Sequence, residues 1–342
     1  MTTTATAPAL PAHAQLIQMA AGSWVSAALY GAAQLGLADL LADGPRTAAE
    51  LAPASGTHAP TLHRFLRTLG SVGIVTDTGG GRFALTPLGE ALKTGAPGAA
   101  RSTIITFGGP VFWRSWEEIV YSLQTGKTAF EKVWGMPVFD YLGQHPEEAS
   151  LFSETMVGFH GAEPPTVAEA YDFSSLKTVV DVGGATGNML AAILTRHPRV
   201  RGVLYDLPHV LRDAPALLKA RGIDDRVTIE SGSFFERVPA GGDAYVMSHI
   251  IHDWSEEQCL TILGNCRKAM RPDSRLLIVE TVIPEDNSPH QGKLQDLVML
   301  VLPGGQERTE AEYDALLAKG GFNLRRVIPT TSVVSIVEAV PA

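Results

Sequence analysis

Val179-Val180-Asp181-Val182-Gly183-Gly184-Ala185-Thr186-Gly187-Asn188, running on into Met189-Leu190-Ala191-Ala192-Ile193-Leu194, is the stretch whose reading decides the fold. An apolar β-branched run ends in an acid, passes through close-spaced glycines and enters a segment of helix-forming composition, the pattern of strand, tight turn and helix. Glycine in such a turn lets the backbone approach a ligand, and the helix N-terminus offers unpaired N–H groups. Glycine content alone leaves an ordinary strand-to-helix turn as an equal reading. Two features separate them. The dinucleotide pattern G-x-G-x-x-G would need glycine at 183, 185 and 188, where Ala185 and Asn188 break it, and no Gly-Lys-Ser/Thr phosphate loop occurs. The run Gly202-Val203-Leu204-Tyr205 ends in Asp206, where a second parallel strand sets a carboxylate beside the first turn to hold ribose hydroxyls. A glycine turn and a ribose acid without a pyrophosphate loop point to S-adenosylmethionine.

Outward from this turn the chain alternates. Strands are predicted at 178–182, 202–205, 226–230, 243–249 and 275–281, helices at 188–196, 208–220, 255–270 and 309–319, and two closing strands near 322–328 and 332–338. Alternation of this kind predicts an α/β class with a parallel, doubly wound, Rossmann-like sheet that binds ligands at the carboxyl ends of its strands. The candidates are then the residues after each strand: Asp181 to Gly187, Asp206, Ser233 and Phe234, His249 with His252-Asp253-Trp254, and Glu280.

Before the alternation begins, residues 14–42 read as one or two helices, and Thr47-Ala-Ala-Glu50 as a capping box. The segment 59–69 has apolar residues at helical spacing, and Gly79-Gly80-Gly81 turns a short hairpin, so helix, helix and hairpin compose a winged helix. From Arg46 to Lys93 the basic residues are Arg46, Arg64, Arg67, Arg82 and Lys93, against Glu50, Asp77 and Glu90. That balance is too weak for a phosphate-gripping face. Residues 100–175 read as helical and dense in aromatics, Trp113 and Phe159 among them.

The net charge of −9 argues against a nucleic-acid partner. Cys259 and Cys266 have no C-x-x-C spacing, which predicts neither a disulfide framework nor a zinc site and fits a cytoplasmic setting. Residues 1–13 read as a disordered tail without the basic start and long apolar core of a signal peptide. Between His13 and Asp39 no charged residue occurs, but Ala, Gly, Gln and Ser dominate, so a helix buried against another chain is expected here, and no membrane span.

His252, at a strand end beside the predicted crevice, is the candidate general base. Glu280 at the end of the next strand and Glu307 in Gly304-Gly305-Gln306-Glu307-Arg308-Thr309 are candidate partners for its ring. A metal held by His249, His252 and Asp253 is disfavoured, because neighbours 252 and 253 point in opposite directions on an extended backbone.

Four motifs in this order, Asp181-Val-Gly-Gly-Ala-Thr-Gly187, Tyr205-Asp206-Leu207-Pro208-His209, Ile251-His252-Asp253-Trp254-Ser255 and Gly304 to Thr309, resemble those of the plant caffeate-type and bacterial antibiotic-pathway O-methyltransferases. The resemblance covers nearly the whole chain. It implies a metal-independent transferase that moves a methyl group from S-adenosylmethionine to a hydroxyl of a planar aromatic acceptor, leaving S-adenosylhomocysteine. Gly183, Gly184 and Gly187 would line the cofactor turn with Asp181 beside them, Asp206 would take the ribose hydroxyls, and Leu207 and Phe234 would sandwich the adenine. His252 matches the family's base, and Glu280 and Glu307 match the acids that hold it. Trp113, Met156, Phe159, His160 and Met299 are the expected acceptor-lining residues. Ser233 departs from the family's usual Asp, and Ser248 from the Lys frequent in plant members; both are carried as cofactor-side positions. The implied organisation is a helical and winged-helix domain over 14–100 that forms a homodimer and lends residues to the partner's pocket, a helical linker over 101–175, and a catalytic domain over 176–342. Two rival readings are a cofactor-binding relative with non-methylating chemistry such as hydroxylation, and a ligand-sensing winged-helix regulator.

Overall fold

A computed structural model of the chain describes residues 10–342. Residues 1–9 of the tail expected over 1–13 lie outside the described residues, and a helix begins at Ala12. Two compact units are present, one comprising 10–113 with 145–159, the other 114–144 with 160–342. The helical segment expected as one linker over 101–175 is therefore divided between them.

In the first unit, helices Ala12–Ala20 and Gly22–Gln34 precede the expected winged helix. Helix Ala48–Ser55 is opened by the Thr47–Glu50 capping box, and helix Ala59–Ser71 leads to the hairpin. A short strand β1 (Arg46–Thr47) pairs with β3 (Arg82–Leu85), which pairs in turn with β2 (Val75–Gly79). Leu51, Leu62, Leu66, Leu69 and Phe83 close its core. Helix Ala12–Ala20 buries none of its residues within the chain, and Leu16, Ile17, Met19 and Trp24 stand exposed.

The second unit carries a seven-stranded sheet: β4 (Thr178–Val182), β5 (Arg201–Asp206), β6 (Val227–Ser231), β7 (Ala244–Ser248), β8 (Arg275–Glu280), β9 (Phe322–Pro329) and β10 (Ser335–Pro341), in the order β6-β5-β4-β7-β8-β10-β9. The first five are mutually parallel, as expected. The expected parallel, doubly wound sheet is completed at one end by the closing strands β10 and β9, which run antiparallel. The cause is local: Gly320 and Gly321 turn the chain out of helix Glu310–Lys319 into β9, which returns through the tight 330–334 turn to fill the gap beside β8. Helix Gln291–Val301 is a further element that the sequence reading missed. Its uniformly apolar run, Leu297–Val301, is too short for periodicity to distinguish a buried helix from a strand.

Parallel register brings the strand ends to one edge, with Val182 opposite Tyr205, Asp206 opposite Ser231 and Ser248 opposite Val279. Nearly every residue of β4, β7 and β8 is buried, because helices cover both faces of a parallel sheet. The chemistry is thus confined to that edge.

Candidate functional site

At the first strand end, Gly183 has φ 74° and Gly187 φ 89°, conformations open to glycine and strained for other residues. A Cβ on Gly183 would lie 2.4 Å from Ile250 Cδ1, and one on Gly184 2.5 Å from Asp181 Cγ. Positions 183 and 184 therefore admit no side chain. Ala185 is left-handed at φ 48°, a conformation that costs a residue with a Cβ on the order of 1 kcal/mol. Asp206 Oδ2 accepts a hydrogen bond from Ala185 N at 2.9 Å, which ties this strand-end acid to the glycine turn. Beneath it Asp181 is buried, and neither of its carboxylate oxygens has a hydrogen-bond partner among the described residues. Burial, followed by the charge of Asp206, pushes its carboxyl up to about 7. Leu207 is 40% exposed at this edge, and Phe234 sits 3.5 Å from the place a Gly183 Cβ would take. Ser233 Oγ accepts from Phe235 N at 3.2 Å, a bond within its own turn. Ser248 ends β7. An unpartnered buried acid, a second acid at the next strand end and two glycines with no room for a Cβ fit a nucleoside cofactor.

His252 stands on a 3₁₀ turn, Ile251–Asp253, after β7. Its buried ring donates from Nδ1 to Glu307 Oε1 at 2.8 Å. Glu307 reaches it because residues 304–308 run alongside the turn: Gln306 N donates to His252 O at 2.9 Å, and a Cβ on Gly305 would fall 1.9 Å from that carbonyl. Glu307 N is itself held by Asp296 Oδ1 at 2.8 Å.

Glu280 differs from expectation. It does not hold the ring; its Oε1 accepts the backbone N–H of Ile250, Ile251 and His252 at 3.1, 2.6 and 3.2 Å, and its Oε2 accepts the Tyr313 hydroxyl. The turn presents three N–H groups to one point, and a carboxylate at a strand end satisfies them as a helix cap would. Glu280 thus fixes the backbone that carries His252.

The 3₁₀ turn also corrects the extended backbone assumed for residues 252 and 253. Asp253 Oδ1 lies 3.7 Å from His252 Nε2, on the same side. Burial alone would make the His252 ring less basic, but Asp253, the Glu307 hydrogen bond and the charge of Glu280 outweigh it and raise the ring well above its ordinary value. Burial also raises the Glu307 carboxyl, against the pull of His252.

Beyond His252 the structure gathers three residues of which only His160 had been singled out for the acceptor. His249 Nε2 donates to Glu163 Oε2 at 2.6 Å, and His160 Nδ1 lies 3.2 Å from Glu163 Oε1. The His249 ring is centred 5.1 Å from that of His252. Glu163 was missed, its only sequence signal being an acid three residues after a histidine at a helix break; Tyr313 gave none. Met299 is buried in helix Gln291–Val301, whereas Trp113, Met156 and Phe159 belong to the first unit.

Residues 113–323 match the O-methyltransferase domain, and residues 17–95 the O-methyltransferase dimerisation domain. The chain belongs to this O-methyltransferase family. Among its relatives, the phenazine O-methyltransferase PhzM of Lysobacter antibioticus is 46% identical over 341 residues, covering 100% of both chains. A mitomycin biosynthesis 6-O-methyltransferase of Streptomyces lavendulae is 40% identical, covering 90% of this chain and 88% of its own. The crystal structure of NcsB1, an O-methyltransferase from neocarzinostatin biosynthesis in complex with S-adenosylmethionine and 2-hydroxy-5-methyl naphthoic acid, superposes with a TM-score of 0.83 at 34% identity, covering 93% of this chain and 96% of that one. The methyl donor of the family domain is S-adenosylmethionine. No helix among the described residues is long and apolar enough to cross a membrane.

Proposed function

We propose that this protein methylates a hydroxyl group on a planar aromatic small molecule, with His252 Nε2 taking up the hydroxyl proton. The observation that carries the assignment is the buried pair of His252 Nδ1 and Glu307 Oε1 at 2.8 Å, which commits one ring nitrogen and leaves Nε2 as the proton acceptor. S-adenosylmethionine supplies an electrophilic methyl group on sulfur. The protein's own work is to align the acceptor oxygen and remove one proton. A phenol near pKa ~10 is mismatched with a free imidazole near ~6.5 by about 5 kcal/mol. The acids around His252 narrow that gap by raising the ring toward the phenol. Asp253, 3.7 Å from Nε2, stabilises the ring as it becomes cationic.

In the same reading Gly183, Gly184, Gly187 and Asp181 seat the methionine end of the cofactor, Asp206 takes the ribose, and Leu207 and Phe234 flank the adenine, with Ser233 and Ser248 nearby. Of the residues expected to line the acceptor, His160 and Met299 belong to the same unit as His252 and take that role. Relatives named for phenazine and crystallised with a hydroxynaphthoic acid support a flat, fused acceptor. A homodimer through the N-terminal domain is supported by the matched dimerisation domain and by the exposed apolar side chains of Leu16, Ile17, Met19 and Trp24.

The test is incubation with methyl-labelled S-adenosylmethionine and a panel of catechols, naphthols, hydroxyphenazines and hydroxyquinones, with His252→Ala alongside. Label on a hydroxyl oxygen, falling by about two to four orders of magnitude in the variant, is the expected result. Label on nitrogen, or undiminished transfer by the variant, would defeat the proposal.

A further inference from the structure

His160, Glu163 and His249 share an arrangement that proton removal at His252 does not require. The two imidazoles lie face to face, centroids 3.7 Å apart and tilted by 34°, and each aims one ring nitrogen at a different oxygen of the same carboxylate. One donor atom from each of the three residues falls within 4.8 Å of the others, the only such group of His, Cys, Asp or Glu among the described residues. Glu163 is almost wholly buried, while both histidines keep a partly exposed edge. We propose that His160, Glu163 and His249 form a binding site for a divalent transition-metal ion of the Zn²⁺ class.

Two imidazoles and one carboxylate are a donor set that zinc accepts, with a fourth position left for water. Oxygen-seeking Mg²⁺ and Ca²⁺ are poorly served by two nitrogens. The protonation change is small. His249 now carries its proton on Nε2, toward the carboxylate, and its Nδ1 is buried with no hydrogen-bond partner among the described residues. An ion taking the Nε2 lone pair moves that proton to Nδ1, with no net loss from a neutral ring, and only the carboxylate holds the present tautomer. His249 has a left-handed backbone, φ 54°, strain that a ligand role would repay. The ion has no part in methyl transfer.

The experiment uses full-length, tag-free protein stripped with chelator and titrated with Co²⁺ by visible absorption and with Zn²⁺ by calorimetry. Glu163→Gln, His160→Gln and His249→Asn are run alongside, asparagine being chosen because it tolerates a left-handed backbone. Thermal unfolding without metal selects the variants that fold. The expected result is one ion per chain, Co²⁺ bands of a four-coordinate site that Zn²⁺ displaces, and affinity at least about tenfold weaker in each folded variant. Absence of saturable binding, or binding that every folded variant retains in full, overturns the proposal, the latter because other histidines would then hold the ion. The readout is ion binding, so it stands apart from the outcome of the methylation assay.

Discussion

Glu307→Gln isolates the contribution of one acid to the base. The side chains of Glu307 and His252 are both almost completely buried, and the substitution keeps an oxygen for His252 Nδ1 at 2.8 Å. The new amide nitrogen falls at Oε2, which has no hydrogen-bond partner among the described residues, so no other bond is broken. What disappears is the charge. A hydrogen bond to a charged group contributes about 1.5–3 kcal/mol. At about 1.4 kcal/mol per pKa unit, the imidazolium should lose roughly 1–2 units of basicity. The folded ring is raised, so below its pKa it holds a proton and cannot accept another. Lowering that pKa should move the rising limb of kcat/KM to lower pH by the same ~1–2 units and reduce the plateau about 10- to 100-fold for a phenol of ordinary acidity. The assay is the pH profile of initial rates with two acceptors, one weakly acidic and one already ionised at neutral pH. For the ionised acceptor the deficit should nearly vanish, since there is no proton to remove. An equal deficit for both acceptors, or an unmoved limb, would refute the assignment of Glu307 to the basicity of His252.

Other substitutions probe the surroundings. Asp181 is raised to about 7 in the folded chain by burial and then Asp206, so its ionisation penalises the cofactor-free native state progressively between about pH 4 and 7 and fully above. Asp181→Asn should therefore leave stability nearly unchanged at pH 4 and raise it increasingly up to pH 7, by at most ~4 kcal/mol; a pH-independent difference in denaturant midpoint contradicts this. Tyr313→Phe removes the hydroxyl that Glu280 accepts, and should slow turnover about tenfold with cofactor affinity unchanged by calorimetry, as loss of ~1–2 kcal/mol from the turn's anchor requires; unaltered turnover counts against the clamp. Met19→Glu with Trp24→Glu places charges on the uncovered helical face, and sedimentation should show the parent as a dimer and the variant as a monomer. A parent that sediments as a monomer removes that interface.

Much of this was legible because it is written in local composition. The strand 178–182 and helix 188–196 were read to the residue, since a β-branched run, a glycine turn and an unbranched apolar run each carry their own signal. The capping box at Thr47 and Glu50 was equally local. The role of Glu280 was not legible. A strand-end acid can hold a ring or a backbone turn, and the choice depends on Ile251–Asp253 being 3₁₀, which sequence periodicity does not reveal over three residues. Glu163 escaped for a related reason: its partner His249 is 86 positions away, brought near only by the sheet edge. The two closing strands are legible as strands, but not their direction, because their composition looks alike whichever way they run.

The acids around the 249–253 turn also decide how a His252 variant must be read. Glu280 is satisfied by three N–H groups and Tyr313, and Glu163 by two imidazoles. Glu307 and Asp253 face His252, one at each ring nitrogen, with His160 a further influence on Asp253. The proton on that ring is their countercharge. His252→Ala thus removes a proton acceptor and at once leaves the buried Glu307 carboxylate and the partly exposed Asp253 without that countercharge, which by itself can loosen the turn. The two losses separate by acceptor acidity. If proton removal is the whole role, the variant should recover most of its rate with an acceptor already ionised at the assay pH, and its cofactor affinity should match the parent's. If the rate stays low with the ionised acceptor while Asp253→Asn combined with Glu307→Gln restores it in the His252→Ala background, His252 acts chiefly as the countercharge that holds the turn, and the base must be sought elsewhere.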